Sequence, residues 1–307
     1  MVVGDSKETN NVFNPVRTQV SRKTQALRKT DSLMAIDRPE WLFGSLCKVK
    51  APLDYTAFKN ILSEHSSGKI RKDSKTVQLH LYWLMKLGLI SSTSGKQGKP
   101  RYSRTVVGDR LCEARDNDRD EYQTMLSSIL LRSRYTGDFF YRFLGMIEDR
   151  LKKNDPIRVE EVRSSFRGET DRSLYSLGME AGLVTDHNGM LGIQARKGKT
   201  IDDLEEFRQE VEKAYRALAN KYVEGVELRP IYVKISTIRD IVLSVYGIVE
   251  DADFDRNFVQ LLDSPHGRDI NLYGAPPQWS LKKRESKTLE KESLAYKGKT
   301  YVFMSLT

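Results

Sequence analysis

Long apolar runs are missing from this sequence. Stretches such as Leu126–Leu131 are broken by two serines, far short of the roughly 18 residues that a membrane span needs. The N-terminus has no apolar segment of the kind that a secretory signal carries. Cysteine is nearly absent, with two among 307 residues, Cys47 and Cys112. Such sparse usage argues against a disulfide scaffold and fits a reducing cytosol. Both are expected to be small buried residues, with a thiol pair as the alternative. The four histidines, His65, His80, His187 and His266, are scattered without metal-ligand spacing, so neither a metal nor another cofactor is expected. His80 reads as a helix residue with its hydrogen bonds satisfied. Asp251-Ala-Asp-Phe-Asp-Arg256 opens like a calcium loop, but Arg256 stands where glycine is needed and Leu262 fills the twelfth position. No phosphate loop or dinucleotide fingerprint occurs. Glu227 and Lys234 match a nuclease's carboxylate–lysine set little better than chance, so the chain is read as a non-enzyme. Nor do aromatic residues alternate with basic ones as on a single-strand platform. The expectation is a soluble cytoplasmic chain, nucleoid-associated if prokaryotic, with no membrane partner.

What the sequence does have is positive charge, unevenly spread. The net formal charge is +9. Residues 36–112 carry 14 basic against 6 acidic residues, a balance of +8, and residues 1–35 add 6 against 3, or +3. Residues 113–198 and 199–307 each come to −1, from 14 against 15 and 17 against 18. A generically basic protein would spread the excess evenly. A local excess suits duplex DNA, which bears about one negative charge per 1.7 Å of axis.

Punctuation and periodicity divide the chain into a basic flexible arm over 1–37, a first module over 38–115, a second over 116–198, a linking amphipathic helix over 199–229 and a third module over 230–307. The arm is expected to become helical from Asn14 to Lys29 when bound. In the first module, helices are predicted over Pro39–Val49, over Tyr55–His65 with Asp54 as N-cap, and over Asp73–Leu87, stopped by Gly88. Asp116–Asn154 reads as helical, with Phe140, Phe143, Leu144, Ile147 and Leu151 at helical spacing in its second half. Helices at Val159–Phe166 and Thr170–Ala181 precede a hairpin at His187–Gly189. Thr200–Val223 carries Ile201, Leu204, Phe207, Val211, Tyr215 and Leu218 on one stripe. The third module is predicted to hold helices at Thr237–Tyr246, capped by Ser236, and at Phe254–Leu262. Strands are predicted at Asp269–Leu272 and Tyr301–Leu306, around a polar Ser280–Glu292 stretch. The fold class is mainly α with small β-hairpin wings.

The functional signal lies in the third predicted helix and the hairpin after it. Val77, Leu81 and Leu84 make one apolar face. Lys75, Thr76, Gln78, Leu79 and Tyr82 lie on the other, behind Lys69, Arg71, Lys72 and Ser74. Hairpin arms at Leu89–Thr93 and Arg101–Thr105 flank Lys96, Gln97, Lys99, Arg101 and Arg104. The run Leu87-Gly-Leu-Ile90, a basic turn and Arg101-Tyr-Ser-Arg-Thr-Val-Val-Gly108 resembles the winged helix-turn-helix superfamily, in particular ArsR, MarR and PadR-type modules, where Thr-x-x-Gly marks the wing exit. The resemblance covers about a quarter of the chain. It implies a recognition helix in the major groove and a wing on the backbone. The side chains fit that role: Gln78 has the groups to bond adenine, Leu79 or Thr76 to touch a thymine methyl, and the cations to bind phosphate.

Tandem winged helix-turn-helix modules are expected, because Glu169–Val184 repeats the helix–Ala-Gly-Leu-Val pattern. Arg163, Arg167 and Arg172 are candidate secondary DNA contacts there. In the third module Glu250, Asp251, Asp253 and Asp255 would repel phosphate, which favours a protein partner. The stripe of Thr200–Val223 is long enough for a homodimer, and equally suited to packing between modules. The function expected is double-stranded DNA binding, as a transcription regulator or a replication or partition factor. The alternative is an architectural winged-helix subunit of a larger nucleoprotein complex.

Overall fold

The computed structural model of the chain describes residues 38–67, 75–94, 99–164, 169–194, 200–222, 232–248, 250–274 and 292–306. The predicted arm and most of Ser280–Glu292 lie outside these residues. Among those described, helix predominates and strands are confined to small antiparallel sheets.

The first unit opens with α1 (Pro39–Lys48), which buries Leu42, Phe43 and Leu46. In α2 (Tyr55–His65) the Asp54 carboxylate accepts the Ala57 N–H at 2.8 Å, satisfying one of the donors that a helix start leaves free. α3 (Lys75–Lys86) buries Val77, Leu81 and Leu84, as their spacing predicts, together with His80 and Trp83. Gly88, at φ +71°, ends that turn in the left-handed region. β1 (Ile90–Ser94) pairs antiparallel with β2 (Pro100–Arg104). On β2's other edge, Leu53 and Tyr102 exchange two backbone hydrogen bonds, at 3.0 and 2.8 Å. α4 (Val106–Asn117) follows, N-capped by Thr105.

The helical segment expected from Asp116 is broken twice. Asp118 caps α5 (Arg119–Arg132), its carboxylate accepting two backbone N–H groups, from Asp120 and Glu121. A corner at Arg134–Thr136 then leads to α6 (Gly137–Lys152), with the Thr136 hydroxyl donating to the Leu130 carbonyl at 2.6 Å. The second unit continues through α7 (Val159–Ser164), α8 (Glu169–Glu180), β3 (Val184–His187) and β4 (Met190–Ile193). Asn188 and Gly189 both have positive φ at the hairpin tip, which lets a two-residue turn match the strand twist. Arg158 bridges β4 as Leu53 bridges β2.

The third unit comprises α9 (Leu204–Tyr222), β5 (Val233–Lys234), α10 (Ile235–Tyr246), α11 (Asp251–Asp263), β6 (Ile270–Gly274), β7 (Leu294–Tyr296) and β8 (Lys299–Leu306), with strand order β5-β8-β6 and β7 pairing β8. β5 and β7 are too short to carry a periodic signal. Ser236 does not cap α10: the chain runs straight from β5 into the helix, with Lys234 at the cap position. Asp251, Asp253 and Asp255 do not precede the next helix but lie within α11. All three units share one order: helix, short strand or bridge, helix, helix, hairpin, with the first strand paired to the last.

One apolar core runs through the first two units, and a second fills the third. The α9 stripe belongs to the second core, with Phe207, Val211, Ala214, Tyr215 and Leu218 all buried within the chain. Of the two uses that the stripe allowed, a homodimer or packing within the chain, the structure has the second. α5 lies where the units meet. The Ser128 hydroxyl, fully buried, donates to the Ile248 carbonyl at 2.9 Å just past the end of α10. Among the described residues no helix is long and apolar enough to cross a membrane. The two cysteines correct the sequence reading. Cys112 is buried and Cys47 half-buried, and they form a disulfide joining α1 to α4, with Cα atoms 5.3 Å apart. With one cysteine on each of two packed helices, 65 residues apart, spacing carries no sign of the pairing.

Candidate nucleic-acid interface

The three units differ in what they leave exposed on the helix before each hairpin. On α3, Lys75, Gln78, Met85 and Lys86 are exposed and Thr76 is half-buried. Twelve residues span about 18 Å at 1.5 Å per residue, and the ends of this helix differ. At the C-terminal end, Tyr135 from the α5–α6 corner sets its ring edge-on to both Tyr82 (5.6 Å) and Trp83 (5.1 Å). Trp83 is fully buried. Tyr82 is half-buried, with the Lys86 ammonium 5.2 Å above its ring. One edge of its ring thus packs in the seam with the α5–α6 corner. Leu79 is likewise half-buried against the core. In the N-terminal half of α3 the exposed residues are Lys75 and Gln78, with Thr76 half-buried.

The hairpin is fixed to α3 by a clasp. The Thr105 hydroxyl donates to the Gly88 carbonyl at 2.6 Å and accepts the Gly108 N–H at 3.1 Å. The Thr105 N–H donates to the Leu89 carbonyl at 3.0 Å. A Cβ on Gly108 would lie 2.2 Å from that same carbonyl oxygen, so no other residue fits there without moving backbone. The Thr-x-x-Gly spacing thus has a local cause: one hydroxyl closes the helix turn on one side and opens α4 on the other. On the hairpin itself Lys99 and Arg101 are exposed. Arg104 turns to α4, where Asp109 holds its guanidinium at 2.8 Å in the first turn of the helix. A carboxylate there also meets the positive end of the helix dipole, so Arg104 is committed within the fold instead of to phosphate. Lys69, Arg71, Lys72, Ser74, Lys96, Gln97 and Arg167 lie outside the described residues.

His80 sits on the inward side of α3, its Nδ1–H donating to the Thr76 carbonyl at 2.8 Å. Its Nε2 is buried without a hydrogen-bond partner. Burial lowers its pKa below the ordinary value, opposed by the Thr76 bond.

α8 presents a different surface. From Arg172 to Glu180 only Arg172 is exposed; Ser173, Leu174, Leu177 and Gly178 are buried and the rest half-buried. α8 packs on α1, and the Tyr122 hydroxyl of α5 donates to Glu180 at 2.8 Å near its end. Arg163 lies in α7, its side chain outside the described set. α11 is held at its acidic start. Arg132 of α5 contacts Asp240 at 2.6 Å and Asp251 at 2.9 Å. Arg239 of α10, almost wholly buried, contacts Asp255 at 2.7 Å and Asp251 at 3.7 Å. Within the acidic run, Asp251, Asp253 and Asp255 pair with arginines of this chain, while Glu250 is exposed. Sequence reasoning missed Tyr135, Arg132 and Arg239, because nothing local marks a residue whose partner lies in another unit. No family model, curated protein or solved structure matches the chain.

Proposed function

We propose that the chain is a duplex DNA-binding protein built from tandem winged-helix modules, only the first of which reads DNA, serving as a transcription regulator or a replication or partition factor. The tandem reading is supported by the order common to the three units and by the pairing of the first strand with the last in each small sheet. The observation that carries the function is that the exposed charges of α3 are the cations Lys75 and Lys86, beside Gln78, whereas α11 exposes Asp251 and Asp263 with Arg256, and the described side chains of α8 expose Arg172. α3 belongs to the segment with a charge balance of +8.

In this reading the N-terminal half of α3 enters the major groove, as the reading helix of such modules does. Gln78 faces base edges, Thr76 offers its methyl to thymine, and Lys75, Lys99 and Arg101 take phosphates. The clasp at Thr105 fixes the hairpin's position relative to the helix.

Binding to preferred and random duplexes, followed by fluorescence anisotropy over a range of salt, tests this. Gln78→Ala is expected to reduce discrimination between the two by roughly 1–3 kcal/mol. Lys99→Ala is expected to weaken both alike and make the salt slope shallower by about one unit. An architectural subunit, the second reading, draws support from the internal use of α8 and α11. It would show weak binding to both duplexes and no loss of discrimination in Gln78→Ala, and that result rejects the reader.

A further inference from the structure

The disulfide encloses the proposed reader. Cys47 and Cys112 stand 65 residues apart, and α2, α3, β1 and β2 all lie between them. α1 and α4 pack on one another as the base of the first unit. The covalent link therefore closes the segment at the point where the chain enters it and leaves it. The two cysteines are not equivalent. Cys112 is 3% exposed, while Cys47, next to last in α1, is only partly covered by the core.

We propose that Cys47 is a thiol–disulfide exchange site for dithiol reductants, and that the state of the Cys47–Cys112 bond sets the temperature up to which the first unit stays folded and able to bind duplex. A thiolate of the dithiol attacks Cys47 Sγ. The Sγ–Sγ bond breaks and its electron pair leaves on Cys112 Sγ, which takes up a proton. A mixed disulfide now joins the reagent to Cys47. The reagent's second thiolate attacks its own sulfur in that bond and expels Cys47 as thiolate, which is then protonated. The protein has gained two electrons and two protons, and the dithiol has become a disulfide. Attack at Cys47 is favoured because exchange needs an accessible sulfur. Opening the bond frees a long loop in the unfolded chain, and in the chain-entropy account the stabilisation from a cross-link grows with the loop it closes. The duplex part of this inference rests on the reading proposed above.

The experiment uses the full chain. Brief exposure to glutathione, a monothiol, followed by acid quench, denaturation, alkylation and peptide mass mapping, is expected to place the adduct on Cys47. Melting and duplex binding are then followed against temperature for three samples: the oxidised chain, the chain reduced with dithiothreitol, and the Cys47→Ala/Cys112→Ala variant. The reduced chain and the variant are expected to melt, and to release duplex, roughly 10 °C below the oxidised chain. An adduct found on Cys112, or equal melting of the oxidised and reduced chains, overturns the proposal. A melting shift with no duplex binding by any form upholds the exchange site and rejects the DNA reading. Binding by all forms with equal melting does the reverse.

Discussion

α3 and α8 occupy corresponding places in two units, and both end in Gly-Leu turned by a left-handed glycine, Gly88 at φ +71° and Gly182 at φ +62°. Their backbones leave the helix alike: Leu89 donates to the Leu84 carbonyl and Leu183 to the Gly178 carbonyl. Their surfaces do not match. α3 keeps Lys75, Gln78, Met85 and Lys86 open, whereas α8 is covered on both sides by α1 and its own unit. A repeated fold thus gives one helix free to meet a ligand and another used for internal packing. What separates them is the partner each outer face acquires, which the helix sequence alone does not state.

The comparison is broken most severely at the third unit. Arg239→Ala would leave Asp255 and Asp251 without their buried cation and is expected to destabilise the chain by about 3 kcal/mol. This is the low end for a broken buried pair, because both carboxylates are partly screened by water. Calorimetry would register the loss. Discrimination between duplexes by the folded fraction should stay unchanged, and a changed preference would place the third unit in the reading of DNA.

A charge reversal on each helix sharpens the contrast. Lys75→Glu on α3 is expected to weaken duplex binding roughly tenfold or more at moderate salt. Arg172→Glu, on the exposed start of α8, should change it by less than about twofold. Equal losses from the two variants would mean that the second unit also touches the backbone.

Thr105→Ala removes the hydroxyl that caps α4 and holds the Gly88 carbonyl, at an expected cost of about 1 kcal/mol in denaturant titrations. Thr105→Ser should recover most of it. If instead Ser behaves as Ala, packing of the methyl, and not the clasp, is what holds the hairpin.

The smallest effect is pH-dependent. The folded pKa of His80 lies below its ordinary value of 6.5, so the unfolded chain takes up a proton first as pH falls. The contribution of neutral His80 is complete above about pH 6.5 and is lost as pH drops toward the folded value. Stability should therefore decline from this residue as the solution is acidified, and His80→Leu should flatten that part of the profile. A wild-type and variant pair with parallel pH profiles would show that protonation of His80 is not coupled to unfolding.

Much of the first unit was legible because its signals are local. Asp54 caps where a helix start calls for it, Gly88 ends a helix whose apolar spacing has run out, and Thr105 and Gly108 answer to a turn only a few residues wide. Gln78 is exposed beside the buried Val77, as the apolar spacing of α3 predicts. That Tyr82 is partly covered was not legible, because an outward helical position stays outward only until another element covers it, and Tyr135 does so from more than 50 residues away. Arg104 was taken for a phosphate ligand because a basic wing residue and an ion-paired one look identical in sequence. The stripe of α9 showed that it must be buried but not by what.

The bond from Ser128 to the carbonyl beyond α10 spans 120 residues. During synthesis, α5 leaves the ribosome long before its partner exists. At roughly 10 residues per second, about ten seconds separate the two. Throughout that interval the face of α5 that will meet α10 has no cover, and the nascent chain carries an adhesive surface that only its own last third can close. Contacts of such long range also form late in refolding. A stop codon or proteolytic cut before residue 235 would leave that surface permanently bare, so the expected cellular fate of such a fragment is capture by chaperones or aggregation.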